Sequence, residues 1–294
     1  MITCPGCGGN LTPDGERLVC RACGRTVDRP GGVFDFASRP DAGEGDYDPV
    51  WFAKLDRAEE RHFWFRARRQ VILRLCERYA ARSDRVLEVG AGTGEIAAAL
   101  AARGYRVAVS DVHRQALEYA GRKGLTERYR FDLMQAPFRE HFDVVGLFDV
   151  LEHIDDDRGA LRAMRRVLKP GGRLILTVPA HQRLWNQSDV VAMHKRRYGL
   201  KQLRRLVTAS GFDVLEAGCF FFSVLPMLAL RVLVNPARAA DTGRGAPGLS
   251  VVPVANEILS AILTIDNMLT GRLWPHVGGS IALVARKRAG SDDS

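Results

Sequence analysis

No stretch of this chain is apolar for long enough to cross a bilayer as a helix. The strongest run, Cys219–Leu230, stops at Arg231, well short of the roughly twenty residues a span requires. The start, Met1-Ile2-Thr3-Cys4-Pro5, has neither the basic opening nor the apolar core of a secretory leader, so the expected compartment is the cytoplasm. Internal repeats are lacking, which removes solenoids and propellers. Cysteine is sparse: of six in 294 residues, four fall within the first 23. In a reducing compartment they read as metal ligands or free thiols rather than disulfides. Acids are also short, 34 against 43 Lys and Arg, for a net charge of +9. That excess permits contact with nucleic acid, an anionic membrane surface or an acidic substrate, although an Arg-rich composition throughout gives the same figure. Hydrophobic residues at 46% and charged residues at 26% fit one large globular domain with an appendage.

What is present centres on Val86-Leu87-Glu88-Val89-Gly90-Ala91-Gly92-Thr93-Gly94-Glu95-Ile96. Apolar Arg85–Val89 reads as a buried parallel strand, the glycines as a tight turn and Glu95–Arg103 as a helix. Such a turn lets a ligand lie against backbone where a Cβ would clash. Alone it is a weak signal, since Gly-rich turns also serve NAD and FAD. A second strand, Tyr105–Ser110, ends at Asp111 about twenty residues on. An acid there accepts two hydrogen bonds from a ribose diol, or caps the following helix. Then come Phe131-Asp132-Leu133, the strand Phe142–Phe148 leading into Asp149-Val150-Leu151-Glu152-His153, a helix Asp157–Leu168, and Lys169-Pro170-Gly171-Gly172 before the strand Arg173–Val178.

In this order and spacing the set resembles a class I S-adenosylmethionine-dependent methyltransferase over roughly residues 60–290. The resemblance implies an α/β, Rossmann-like fold with a seven-stranded, mostly parallel sheet, and S-adenosylmethionine as cofactor. Gly90 and Gly92 are then expected against the methionine and ribose portions, Asp111 on the ribose hydroxyls, Asp132 on the adenine amino group and Leu133 beside its ring. Phe148 matches the position that in ubiquinone-type O-methyltransferases closes over the cofactor from the fourth strand. The same enzymes carry an Arg upstream of the first strand that pairs with the methionyl carboxylate. The best match is Arg68, flanked by Arg66 and Arg69. Asn-Pro-Pro-Tyr, which many amino-methylating enzymes place after the fourth strand, is absent, so planar amine acceptors lose weight.

Ahead of this lie Cys4-Pro5-Gly6-Cys7 and Cys20-Arg21-Ala22-Cys23, two knuckles twelve residues apart, each followed by Gly. Four converging thiolates suit a closed, structural tetrahedral zinc site, and a fold this small depends on its ion. The chain therefore divides into a zinc ribbon at 1–36, which Val33-Phe34-Asp35-Phe36 finishes, a linker at 37–49, an N-terminal helical lid at 50–84 and the methyltransferase domain at 85–290. In the lid, Trp64 is expected to contact the acceptor and exclude water from the site, or to pack the helix on the domain.

The acceptor is expected at the carboxyl edge of the sheet. His153 follows the fourth strand there and is one candidate base, although Leu-Glu-His also serves architecture. A loop insert at 179–200 carries Trp185, then His194-Lys195-Arg196-Arg197-Tyr198. It resembles a segment found in a group of bacterial class I methyltransferases. His194 is the second candidate base; Trp185, Arg197 and Tyr198 are candidate acceptor contacts, against a solvated basic surface as the plainer reading. A helical cover is expected at 220–275. Within it Cys219–Leu230 reads as the sixth strand running into a helix near Pro226, or as an apolar surface for a lipid tail or a membrane. Pro236–Pro247 reads as a lid loop, and Val254–Leu269 as a helix with apolar Ile258, Ile262, Ile265 and Leu269. Ser280–Ala285 is the expected antiparallel last strand. The reading favoured is O-methylation of a small or lipid-like acceptor. An RNA substrate docked by ribbon and basic surface is the alternative, and a cofactor-free adaptor the third.

Overall fold

In the computed structural model, which describes residues 1–37, 49–234, 253–270 and 276–290, the first three strands form a small antiparallel sheet. They are β1 (Leu11–Asp14), β2 (Arg17–Cys20) and β3 (Thr26–Asp28). Only Leu11, Leu18 and Val27, with Cys4 and Cys20, form its buried cluster. The chain then enters β4 (Val33–Asp35), α1 (Pro49–Arg61), α2 (Phe63–Tyr79), β5 (Arg85–Val89), α3 (Glu95–Ala101), β6 (Arg106–Asp111), α4 (Arg114–Arg122), β7 (Glu127–Arg130) and β8 (Phe142–Phe148). There follow α5 (Asp157–Val167), β9 (Leu168–Pro179), α6 (Gln187–Val191), α7 (Leu200–Ala209), β10 (Phe212–Phe220), α8 (Leu225–Val234), α9 (Pro253–Thr270) and β11 (Ser280–Lys287).

The central sheet runs β10-β11-β9-β8-β5-β6-β7-β4. β11 is antiparallel to both neighbours and the remaining pairs are parallel. It has eight strands rather than seven. The addition is β4, which pairs with β7, Val33 opposite Arg128, while Phe34 and Phe36 also pack against the ribbon's buried cluster. Side-chain alternation explains the transfer. Val33 is buried among Ala97, Val109 and Leu117 on one face, while on the other Phe34 stacks on Tyr129 at 5.6 Å. Asp35 pairs with Arg130 and Arg114 at 3.3 and 3.4 Å. The segment that follows the ribbon's own three-stranded sheet therefore joins the central sheet.

The sixth strand also differs from expectation. It begins at Phe212, with Cys219 and Phe220 as its buried end, and Phe221 at φ +65° turns the chain toward α8. Most of the linker expected at 37–49, and all of Pro236–Pro247, lie outside the described residues. α9 is helical as expected, but the side it turns to the domain is largely polar, with Leu263 buried among Asn256, Ser260, Asp266 and Asn267. Asn256 Oδ1 accepts from the Phe63 N–H at 2.8 Å and its Nδ2 donates to the Arg61 carbonyl at 3.0 Å. Asn267 Nδ2 donates to the Ala67 carbonyl at 2.9 Å. Ile258, Ile262, Ile265 and Leu269 are exposed, as are Leu230, Leu233 and Val234 of α8. No helix among the described residues is long and apolar enough to cross a membrane.

Candidate functional site

The glycine turn follows β5. Gly90 has φ +67°, and a Cβ there would sit 2.6 Å from a methyl of Val150, so the turn admits no side chain. The Gly92 N–H donates to Asp111 Oδ2 at 2.9 Å, and the His113 N–H to Oδ1 at 2.9 Å. Burial raises the Asp111 carboxyl pKa, and the donors from His113 and Gly92 work against it. Gly90, Gly92 and Asp111 line a cavity of about 680 Å³ at the carboxyl ends of β5, β6 and β8, together with Leu133, Phe148 and Arg68. Asp132 does not line it. That side chain is exposed, and its Oδ1 accepts from the Met134 N–H at 2.9 Å, capping its own turn.

The structure separates the three arginines of α2. Arg66 reaches Glu257 at 3.0 Å and Arg69 pairs with Glu95. Arg68 alone of the three lines the cavity. Its guanidinium donates to the Phe148 carbonyl at 2.7 Å and pairs with Asp149, a residue held at φ +56°. Two acids that sequence reasoning did not assign, buried Glu88 and half-buried Glu59, share this wall. Glu88 is pushed up to about 8 and Glu59 to about 7, both by burial, with Arg68 acting against it. Glu88 lies inside the glycine motif and was therefore in view. Glu59, hydrogen-bonded by Thr93, carries no local signal.

A second cavity, of about 300 Å³, adjoins the first and shares Trp51, Leu55, Phe65, Asp149 and Ala192 with it. Trp64, Glu152, Asp189, His194 and Arg197 line it. The Trp64 ring packs 4.4 Å from that of Phe221. His194 Nδ1 lies 2.9 Å from Asp189 Oδ1, to which Arg197 Nε donates at 2.8 Å. Asp189 is buried, which would raise its pKa, but His194 and Arg197 hold it below the usual range. The His153 ring stands edge-on to His194, centroids 4.8 Å apart.

Tyr198 is not at the site. It is fully buried in the core, and its hydroxyl donates to Asp157 at 3.1 Å and to the Leu151 carbonyl at 3.3 Å. Trp185 lines neither cavity.

Burial pushes the His153 pKa down to about 4, helped by His194. A histidine in the unfolded chain takes its proton near 6.5. Between those values the unfolded state binds more protons, so this histidine's contribution is complete above about pH 6.5 and lost as pH falls toward 4. Replacing His153 with Gln is expected to flatten the acid side of the stability profile by about 2–3 kcal/mol, read by urea unfolding from pH 7 to 4. An unchanged slope would refute the assignment.

In the ribbon, Cys4 and Cys23 Sγ lie 3.7 Å apart and Cys7 and Cys20 Sγ 3.5 Å. All four ligand atoms fall within 4.8 Å of one another. A tetrahedral ion with sulfur at about 2.3 Å needs edges of about 3.8 Å, so the donor set fits. Gly8 at φ +72° and Gly24 at φ +73° turn the two knuckles, their N–H groups donating to Cys4 and Cys20 carbonyls at 2.9 Å.

A family model described as a methyltransferase domain matches residues 60–217, more than half of the chain. The chain belongs to this family. This methyltransferase is 31% identical over 110 residues to the ubiquinone biosynthesis O-methyltransferase of Marinobacter nauticus, a stretch that is 34% of this chain and 46% of that protein. It is 32% identical over 120 residues to that of Idiomarina loihiensis, covering 37% and 49%. The chain spans about half the length of these curated relatives. Among solved structures it resembles the Haemonchus contortus phosphoethanolamine N-methyltransferase 2 in complex with S-adenosyl-L-methionine, with TM-score 0.55, 19% identity, and 83% and 58% of the two chains covered. It also resembles a chain from a complex between the Haloferax volcanii Trm112 methyltransferase activator and a methyltransferase, with TM-score 0.54, 17% identity, and 83% and 96% covered. At these identities the methyltransferase shares their fold.

Proposed function

We propose that the larger cavity binds S-adenosylmethionine and that its methyl group passes to a hydroxyl of a small or lipid-like acceptor in the adjoining cavity. The observation that carries this is the common wall, in which Asp149 borders both cavities while His153 faces one and His194 the other. The sulfonium supplies an electrophilic methyl group; the chain has to hold donor and acceptor in line and take a proton. Asp111 accepts from the ribose diol, the Gly90–Gly92 backbone admits the ribose and methionine portions, and Arg68 serves the methionyl carboxylate. Leu133 and Phe148 flank the cofactor. His194 accepts the hydroxyl proton at Nε2, its Nδ1–H directed to Asp189, which Arg197 fixes. Neutral His153 packs beside it. Trp64 closes the apolar side of the acceptor cavity.

The lipid-like acceptor is supported by Met227 and Leu228 of α8 in the second cavity and by the exposed apolar faces of α8 and α9, which suit peripheral membrane contact. The cysteine cluster is assigned a structural zinc ion. A second reading, an RNA acceptor, draws on a groove of about 380 Å³ between ribbon and core, lined by Arg139, Arg165, Arg166 and Arg288. RNA binding that weakens steeply with salt would favour it.

The test is calorimetric binding of S-adenosylmethionine and S-adenosylhomocysteine to wild type and Asp111→Ala. A loss of about 10- to 100-fold in the variant is expected from removing charge-assisted hydrogen bonds. No binding to folded wild type would leave the adaptor reading in place of the enzyme.

A further inference from the structure

Glu152 has no use in the scheme above, yet it is fully buried and neither carboxylate oxygen has a hydrogen-bond partner. A buried carboxylate in that state must stay protonated or be met by a cation. Two imidazoles face it. His194 Nε2 lies 3.9 Å from Glu152 Oε1, and Glu152, His153 and His194 each offer one ligand atom within 4.8 Å of the others.

Both rings are held in place. His194 is held by Asp189 at 2.9 Å, and Asp189 accepts in turn from Arg197 Nε at 2.8 Å and from the Asn186 N–H at 2.9 Å. The His153 ring stands edge-on to that of His194, centroids 4.8 Å apart. Asp189 thus engages Nδ1 of His194 and leaves its Nε2 on the Glu152 side. Carboxylate and carbonyl partners behind ligating histidines are the usual outer layer of a metal centre, fixing tautomer and ring direction.

We infer that Glu152, His153 and His194 hold a divalent transition-metal ion. Two imidazoles and one carboxylate favour manganese, iron, cobalt or zinc over magnesium or calcium. Three protein ligands leave positions open, and Glu152 and His194 border the acceptor cavity while His153 borders the other. The ion therefore sits where an acceptor hydroxyl approaches the methyl group. A hydroxyl bound to it is acidified and loses its proton to water; with the ion in place this replaces the proton transfer to His194 Nε2 described above for the ion-free site. The inference rests on the proposed function only in where it places the acceptor.

The thiolate cluster is a separate site, so the two are told apart by counting. Full-length protein is saturated with Zn²⁺ and desalted, and its metal content is read by mass spectrometry. Wild type is expected to retain one ion more per chain than Glu152→Gln or His194→Gln. Asp189→Asn, which leaves the ligands intact, is expected to weaken the extra ion by about 10- to 100-fold. Circular dichroism checks that each variant is folded, and His194, which unlike Glu152 is not fully buried, supplies a second variant should Glu152→Gln not fold. Equal metal content in wild type and folded His194→Gln overturns the inference. S-adenosylmethionine binding on the same samples reads the proposed function independently.

Discussion

Replacing Arg68 with Met is expected to lower folding stability by about 3 kcal/mol and to remove measurable S-adenosylmethionine binding. The guanidinium is largely buried, pairs with Asp149 and donates to the Phe148 carbonyl. Its charge also acts on Glu59, Glu88 and Glu152. Methionine keeps the volume and deletes the charge. Removing one partner of a buried pair costs about 3–5 kcal/mol because the other is left uncompensated; the partial exposure of Asp149 places the expectation at the lower end. The loss should also depend on pH with a definite sign. Glu88 titrates near 8 when folded, against an unfolded value in the usual carboxylate range. Its contribution is present at low pH and lost as pH rises through about 8. Arg68 holds that folded value down, so without it the pKa rises further and the loss continues to higher pH and grows; the variant should therefore be less destabilised at pH 5 than at pH 8. Urea unfolding at the two values reads this, and a deficit under 1 kcal/mol at both would show that Arg68 does not hold these acids.

A comparable effect is expected at the other end of the chain. In Cys4→Ser/Cys20→Ser the ribbon should lose its ion and its order, because Leu11, Leu18 and Val27 offer too little core to hold three short strands. Structural zinc contributes about 10–16 kcal/mol in small isolated modules. Hydrogen exchange should report rapid labelling across residues 1–37 with β5 and β8 still protected. The damage should reach the cofactor side through β4. Phe34 stacks on Tyr129, Tyr129 packs edge-on to Phe138 at 5.0 Å, and Phe138 meets Phe131, which lines the larger cavity. Cofactor affinity is accordingly expected to fall by up to about tenfold, the range of one disturbed aromatic contact. Unchanged protection of residues 1–37 would mean that the thiols hold nothing.

The features legible in the sequence are those written in short-range spacing. The glycine turn, the strand-end Asp111 and the two cysteine knuckles each depend on backbone geometry within a few residues, and the order of strands and helices gives the class of fold. What was not legible depends on distant packing. Tyr198 sits among charged neighbours in sequence, yet Asp157 and Leu151, some forty residues upstream, take its hydroxyl into the core. The apolar period of α9 implies a helix but not which side turns inward. That is decided by Asn256 and Asn267, which satisfy the ends and carbonyls of α1 and α2. Glu152 was visible beside His153, but its lack of a hydrogen-bond partner emerges only when β8 and the 179–200 loop are assembled.

The pairing of β4 with β7 bears on solubility. A parallel sheet ending at β7 would present an unsatisfied row of backbone donors and acceptors, the template on which chains add edge to edge. β4 covers that row and is a poor template itself, being three residues long, with Asp35 tied to Arg114 and Arg130. The N-terminal segment thus acts as a guard strand. Protein lacking residues 1–37 is left with β7 bare, and its characteristic failure is self-association through that edge rather than unfolding.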